Sequence, residues 1–129
     1  MTNHLKPKEH DILCIMLNSP KALTASEIVH AGEDLTMNTV QAVIRKLLKM
    51  NLVEVGEIVY SGNVLSRTFK PTESAPEIIQ ELFAEDYKQF QKIASKQSLI
   101  AAMLHTDSKT DMNKEIEDLE SILNDLKHQ

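Results

Sequence analysis

The sequence has few of the residues on which several classes of protein depend. Its 129 residues include one cysteine, three glycines, no tryptophan and 4% aromatic residues. A single cysteine excludes an internal disulfide and a Cys-x-x-Cys metal pair, so nothing requires an oxidising compartment. Three glycines leave no glycine-rich loop for a nucleotide, and no serine or cysteine stands in a recognisable nucleophile motif. The sequence therefore predicts a protein that is not an enzyme.

Long apolar runs and closely spaced metal ligands are also missing. No stretch approaches the length that spans a bilayer, and the first eleven residues lack the apolar region of a signal peptide. The five histidines are dispersed, without a second ligand at helical spacing. We expect a cytoplasmic protein with no metal and no cofactor, in which Cys14 is a small hydrophobe facing the core.

The net charge of -5 averages over two unlike halves. Residues 1–71 hold 8 Lys or Arg against 7 Asp or Glu, whereas residues 72–129 hold 6 against 12. Phosphate contacts act within about one Debye length, roughly 8 Å at physiological salt. An acidic protein therefore binds DNA if its basic groups lie on one face, and the net charge does not exclude nucleic acid as a partner.

Helical spacing and capping signals predict two helices near the start of the chain. The first runs from Pro7 to about Asn18, with proline in its first turn. The second begins after Thr24, with Glu27 at the capping-box position. Gly32 is expected to end it in the left-handed conformation.

A third helix and a hairpin complete the N-terminal pattern. Thr36 caps the helix, which runs to about Met50, and Asn51 is expected to be left-handed. Its apolar stripe consists of Val40, Val43, Ile44, Leu47 and Leu48. Two extended segments, 52–60 and 64–70, flank turn residues 61–63. Three helices followed by a hairpin predict a winged helix-turn-helix.

The C-terminal half is predicted to be helical. A capping box at 74–77 precedes an amphipathic stripe, a short apolar helix at 98–104, a polar gap from His105 to Thr110 and a last amphipathic helix. The expected fold is mainly α, with a winged-helix DNA-binding domain at 1–71 and a helical dimerisation domain at 72–129. The residues expected to form the dimer are Ile79, Leu82, Phe83, Tyr87, Phe90, Ile93, Leu99, Met103, Ile116, Leu119, Ile122, Leu123 and Leu126. The alternative is that these helices fold back onto their own N-terminal domain.

The third helix carries residues suited to reading base edges. Asn and Gln match adenine, Arg matches guanine and Ala meets a thymine methyl group, while basic side chains hold phosphates. The residues expected to bind DNA are Thr36, Asn38, Thr39, Gln41, Ala42, Arg45, Lys46 and Lys49 on the helix, with Arg67 and Lys70 on the wing. For an isolated helix such a polar face would simply be solvated, but here a capped helix precedes it and a hairpin follows.

Six segments of the chain resemble those of a known family. They are residues 23–29, 35–40 and 47–53, with Phe69-Lys70-Pro71, Ser98-Leu99-Ile100 and Glu117-Asp118-Leu119. Over nearly its whole length the chain resembles the penicillinase-repressor family (BlaI, MecI and CopY). The resemblance implies a homodimeric winged-helix transcriptional repressor that pairs through its C-terminal helices and binds palindromic double-stranded operator DNA.

The sequence departs from this family at positions that set operator and signal. Asn38 and Ala42 replace the usual Lys and Thr of the reading helix, so the family operator does not carry over. The β-lactam regulators of the family are inactivated by proteolysis at an Asn-Phe bond, and the corresponding bond here is Ala102-Met103. A regulatory protease is therefore a partner that the resemblance implies and that the residues at this bond do not. The tail also lacks the Cys-x-Cys pairs of the copper-sensing members.

A second class of function stays open at this point. A winged helix whose third-helix face binds another protein, without sequence-specific DNA binding, would show much of the same pattern. Ionic strength separates the two, because binding to several phosphates weakens steeply with salt.

Overall fold

The computed structural model describes residues 4–105 and 112–129. Its helices and strands are α1 (Pro7–Leu17), β1 (Leu23–Thr24), α2 (Ala25–Ala31), α3 (Met37–Lys49), β2 (Val53–Ser61), β3 (Val64–Pro71), α4 (Ala75–Phe90), α5 (Lys96–His105) and α6 (Met112–Lys127). This is the mainly helical winged helix-turn-helix that the sequence predicts, followed by a helical C-terminal segment. Most of the predicted polar gap, residues 106–110, lies outside the described residues.

The helix boundaries follow the capping signals. Thr24 Oγ1 accepts a hydrogen bond from the N–H of Glu27 at 3.1 Å, and Glu27 Oε1 accepts one from the N–H of Thr24 at 2.9 Å. Thr36 Oγ1 accepts from the N–H of Thr39 at the start of α3. After α3, Asn51 adopts φ 61°. The predicted caps at these positions and the left-handed Asn51 are confirmed.

The predicted left-handed Gly32 is wrong. Gly32 is extended at φ -98° and ψ 173°, and the left-handed residue of the turn is Asp34 at φ 55°. Gly32 lies close to its neighbours: an added Cβ atom would lie against the Leu35 side chain and 3.2 Å from Cδ1 of Ile15, so these side chains would have to shift. The turn between α2 and α3 therefore depends on a close approach at Gly32 and on a left-handed aspartate two residues later.

The three strands form one antiparallel sheet in the order β1-β3-β2. β2 and β3 form the predicted hairpin around Gly62, which has φ 68°. The pairing shifts between Val55 and Ile58, so that two β2 residues face one residue of β3. The short strand β1 was not predicted; it pairs with β3 at Phe69 and Thr68 and ties the hairpin to the start of α2.

The core belongs to the compact unit that ends at Glu85, and a second unit runs from Asp86 to Gln129. The buried apolar residues are Ile12, Leu13, Met16, Leu23, Ile28, Val40, Val43, Ile44, Leu47, Leu52, Val53 and Ala75. The first part of α4 packs on this core through Ile78, Ile79 and Leu82. Among the described residues of the second unit, none is buried.

Cys14 is exposed, so the prediction that it faces the core is wrong. The buried positions of α1 are Glu9, Ile12, Leu13 and Met16, which lie three or four residues apart on one face. Cys14 lies off this face. In the range 4–105 and 112–129, no helix has the length and apolar character needed to cross a membrane.

Candidate nucleic-acid interface

The apolar and polar residues of α3 separate cleanly onto two faces. Val40, Val43, Ile44 and Leu47 are buried, and they recur at the spacing of one helix face. The opposite face carries five exposed side chains: Asn38, Gln41, Ala42, Arg45 and Lys49. We call these five residues the reading face. All five belong to the predicted DNA-binding set.

No acidic residue occurs in α3, so the reading face has two cations and no carboxylate of its own. Arg45 forms no ion pair with another described residue. Its guanidinium therefore remains available for a bidentate hydrogen bond to an external acceptor such as the O6 and N7 atoms of guanine.

The N-terminus of α3 differs slightly from the expectation. Thr36 Oγ1 accepts the N–H of Thr39 at 3.2 Å and donates to Thr39 Oγ1 at 2.9 Å. Thr36 is exposed, whereas Thr39 is half-buried. The hydroxyl of Thr36 and the N–H of Thr39 are thus used within the cap, and the earlier N–H groups of the first turn are the ones that could face a phosphate.

The wing contributes Arg67 to the same side of the molecule as the reading face. An open cleft of about 500 Å³ lies between α3 and β3, and Gln41, Arg45 and Arg67 all line it. Its apolar lining comes from Met37, Ile44, Leu48 and Phe69. Among the described residues that line this cleft none is acidic, so its two arginines have no carboxylate beside them there.

Lys70 lies apart from this group. Side chains alternate along a strand, so Arg67 and Phe69 share one face of β3, and Thr68 and Lys70 share the other. Accordingly, Lys70 lines a second cleft with Lys21 and Glu57, and its Nζ atom lies 4.0 Å from Oε1 of Glu54. The structure brings Arg67 together with α3 and does not bring Lys70 there.

Lys46 also points away from the reading face. Its Nζ atom donates to Oε1 of Glu9 at 2.8 Å and to the backbone carbonyl of His4 at 2.8 Å. Glu9 is buried, and its Oε1 also accepts the N–H of Lys6 at 2.7 Å. Burial alone would raise the pKa of Glu9, but the hydrogen bonds from Lys46 and Lys6 and their positive charges outweigh it and lower this pKa.

The distal part of the wing carries no charge and much exposed apolar surface. Residues 58–66 contain no Asp, Glu, Lys or Arg. Ile58, Tyr60, Val64 and Leu65 are 59–76% exposed. Arg67 is the cation closest in sequence to the β2–β3 turn, and a phosphate contact made by that turn would use backbone N–H groups or the side chains of Ser61 and Asn63.

The residues expected to form a dimer fall into three groups by their exposure. Ile79 and Leu82 pack against the core of the first unit, while Tyr87, Leu99 and Leu119 are half-exposed. The remaining residues expose more than a third of their surface; they are Phe83, Phe90, Ile93, Met103, Ile116, Ile122, Leu123 and Leu126.

Sequence reasoning missed three features of this region. It did not find β1, because two residues give too short a pattern for a strand to be recognised. It expected Lys46 to bind a phosphate and did not find the ion pair with Glu9, because Glu9 lies thirty-seven residues earlier in the chain. It grouped Lys70 with Arg67, although an odd spacing along a strand places two side chains on opposite faces.

No protein-family model and no curated protein matches the sequence. Solved structures with a similar fold include the adhesin competence repressor of Streptococcus pyogenes, with 17% identity, 96% of this chain and 79% of that chain covered, and a TM-score of 0.47. Staphylococcus aureus MarR, solved with salicylate and kanamycin, has 18% identity over 97% and 75% of the two chains and a TM-score of 0.47. A PadR-like transcription factor from Bacteroides fragilis has 16% identity over 67% and 89% and a TM-score of 0.47.

At these identities the likeness concerns the fold alone. The winged helix is assigned from the chain's own helix-turn-helix, hairpin and strand order. Within the part of the chain that the structure describes, no group of three His, Cys, Asp or Glu side chains could hold a metal ion.

Proposed function

We propose that this chain is a DNA-binding transcriptional repressor that acts as a homodimer on a palindromic operator. The observation that carries the proposal is the reading face of α3, which is exposed, free of acidic residues and next to Arg67 of the wing. The repressor role extends the resemblance of residues 23–29, 35–40 and 47–53 to the penicillinase-repressor family, although no family model matches the sequence.

The roles of individual residues follow from their chemistry. Asn38 and Gln41 each present a donor and an acceptor and fit an adenine edge, while Arg45 fits guanine and Ala42 a thymine methyl group. Lys49 and Arg67 would bind phosphates, with the first backbone N–H groups after Thr36. Base contacts would choose the sequence, and phosphate contacts would fix the register.

A homodimer would present two reading faces to one duplex. The support for it is the apolar surface of the C-terminal helices, which a monomer in water would leave exposed. In α6 the residues Ile116, Leu119, Leu123 and Leu126 alternate by three and four, the spacing of a coiled-coil seam. We therefore place α6 at the centre of the dimer contact. Two-fold symmetry then requires half-sites about 10 base pairs, or a multiple of it, apart.

The test begins by selecting bound duplexes from a random pool. Affinity for the selected duplex and for random DNA is then measured over a range of salt. Asn38→Ala and Arg45→Ala should each weaken binding to the selected duplex by about 1–3 kcal/mol with little change on random DNA. Arg67→Ala should weaken binding to both DNAs alike. The salt slope, which is the steepness with which log K falls as log[salt] rises, should become smaller by about 0.9. Lys70→Ala, which removes a cation from the other face of β3, is the matched control and should change neither affinity by much.

Two outcomes would contradict the proposal. Equal losses on selected and random DNA for the α3 variants would show that this face does not read sequence. A salt slope near zero, or no enriched sequence, would favour an interaction with protein through the same face.

A further inference from the structure

The segment that begins α1 holds Lys46 of α3 between two acceptors. The Lys46 Nζ atom lies 2.8 Å from Glu9 Oε1 and 2.8 Å from the carbonyl oxygen of His4. The same Glu9 oxygen accepts the N–H of Lys6 at 2.7 Å. One carboxylate thus joins the first turn of α1 to the last turn of α3.

The neighbouring residue Lys8 contacts the turn before α3. Its Nζ atom donates to the carbonyl of Asp34 at 3.3 Å, and Asp34 is the left-handed residue between α2 and α3. The start of α1 therefore contacts both the turn and the helix of the helix-turn-helix. Lys8 is exposed, so we give the larger role to the Glu9–Lys46 pair.

Burial distinguishes this ion pair from the other ion pairs between described residues. The side chains of Glu9 and Lys46 are 12% and 34% exposed, whereas those of Lys21 and Glu27 are 69% and 40% exposed. Exposed pairs contribute little, but removing one partner of a buried pair leaves a charge without compensation. Breaking the Glu9–Lys46 pair would leave the largely buried carboxylate of Glu9 without the side chain that ties it to α3.

We propose that Glu9 and Lys46 are positioning residues, which fix the orientation of α3 against α1 so that the reading face meets the bases. This inference rests on the proposed function of α3. Lys46 would then affect DNA binding through Glu9 and without touching a phosphate. Lys49, three residues later and on the reading face, is the cation that would contact DNA directly.

The test compares Lys46→Met with Lys49→Met on the selected duplex and on random DNA. Lys46→Met should lower the ratio of the two affinities by about five- to 150-fold, the value of one bidentate base contact, and leave the salt slope unchanged. Lys49→Met should weaken both affinities alike and lower the slope by about 0.9. Lys46→Arg, which retains the charge and the reach, should keep the wild-type ratio.

Glu9→Gln separates positioning from simple electrostatics. Removing a negative charge would strengthen DNA binding if only net charge mattered. We expect the opposite on the selected duplex, a loss similar to that of Lys46→Met. Tighter binding by Glu9→Gln, or a slope lowered by about 0.9 in Lys46→Met with equal losses on both DNAs, would overturn the proposal.

Urea unfolding of the two single variants and the double variant tests the pair without DNA. We expect the double variant to lose less free energy of unfolding than the sum of the two single variants. Additive losses would show that Glu9 and Lys46 do not interact. These measurements also confirm that each variant is folded under the binding conditions. If the wild-type protein showed no preference for any duplex, the proposed function would fail while the coupling still measured the pair.

Discussion

The two compact units of the chain differ in how far their apolar residues are buried. In the unit that ends at Glu85, residues such as Ile12, Ile28 and Leu47 have no exposed surface. In the unit that begins at Asp86, no described residue is buried, and Ile93 and Leu123 are 80% and 56% exposed. The first unit thus contains its own hydrophobic core, whereas the second presents apolar surface that we assign to a second copy.

The largest expected effect contrasts a core leucine with a leucine of α6. Leu47→Ala should lower the free energy of unfolding by about 2–5 kcal/mol, because it removes a fully buried side chain and leaves a cavity. That loss should not depend on protein concentration. Leu123→Ala should weaken the proposed dimer more than the fold of the single chain. The loss in free energy of unfolding that it causes should therefore grow with protein concentration. Urea unfolding at several concentrations measures both, and a cost at Leu123 that is equally large and independent of concentration would contradict the comparison.

The second prediction tests the apolar face of α6 directly. Replacing Leu119 and Leu123 together by Asp should convert a dimer into a monomer, because two charges would enter the proposed seam. Sedimentation equilibrium gives the mass. Ser121→Asp adds one such charge on the opposite side of the helix, and this variant should remain dimeric. A wild-type monomer, or a double variant that still forms dimers, would show that these helices are not paired through this face.

The third prediction concerns pH and belongs to the first unit. The charged groups facing Glu9 are Lys46 and Lys6, and they hold its pKa below the ordinary value. Because the pKa of Glu9 is lower in the folded state, the unfolded state binds more protons in acid. The stabilisation of the folded state by ionised Glu9 is therefore fully present above the ordinary glutamate pKa of about 4.3. It is lost as the pH falls through the lowered pKa. Urea midpoints between pH 7 and pH 3 should fall more steeply for wild type than for Glu9→Gln. Parallel curves would contradict a stabilising role for this carboxylate.

The smallest effect compares two helix caps. Thr24→Ala removes the acceptor for the N–H of Glu27 in a buried capping box and should cost about 1 kcal/mol. Ser95 accepts the N–H of Ser98 at 3.1 Å at the start of α5, where both residues are exposed. Ser95→Ala should therefore cost less. Thermal or urea unfolding measures both losses, and a larger loss for Ser95→Ala than for Thr24→Ala would contradict the expectation that the buried cap contributes more.

The elements that could be predicted are those with local signals. Thr24 and Thr36 begin helices and Asn51 follows the end of α3. They do so through hydrogen bonds and backbone angles that depend on nearby residues alone, and all three were predicted correctly. The turn at Gly62 and its flanking strands also follow from local sequence. The exposed face of α3 was predictable because its apolar residues recur at a single helical spacing.

Other features depend on contacts between distant residues. In α1 the run from Ile12 to Leu17 is apolar throughout, so periodicity could not show that Cys14 is exposed. The true buried face includes the charged residue Glu9, which is stabilised there by Lys46. At Gly32 an added Cβ atom would lie 3.2 Å from Cδ1 of Ile15, a residue seventeen positions earlier in the chain. No local pattern carries this information.

The stoichiometry of the complex with selected DNA tests the central claim most directly. Native mass spectrometry of the wild-type protein with the enriched duplex should find two chains on one duplex, and the enriched sequence should contain an inverted repeat with half-sites about one helical turn, or a multiple of it, apart. One chain per duplex at saturation, or a pool in which no inverted repeat is enriched, would contradict the account.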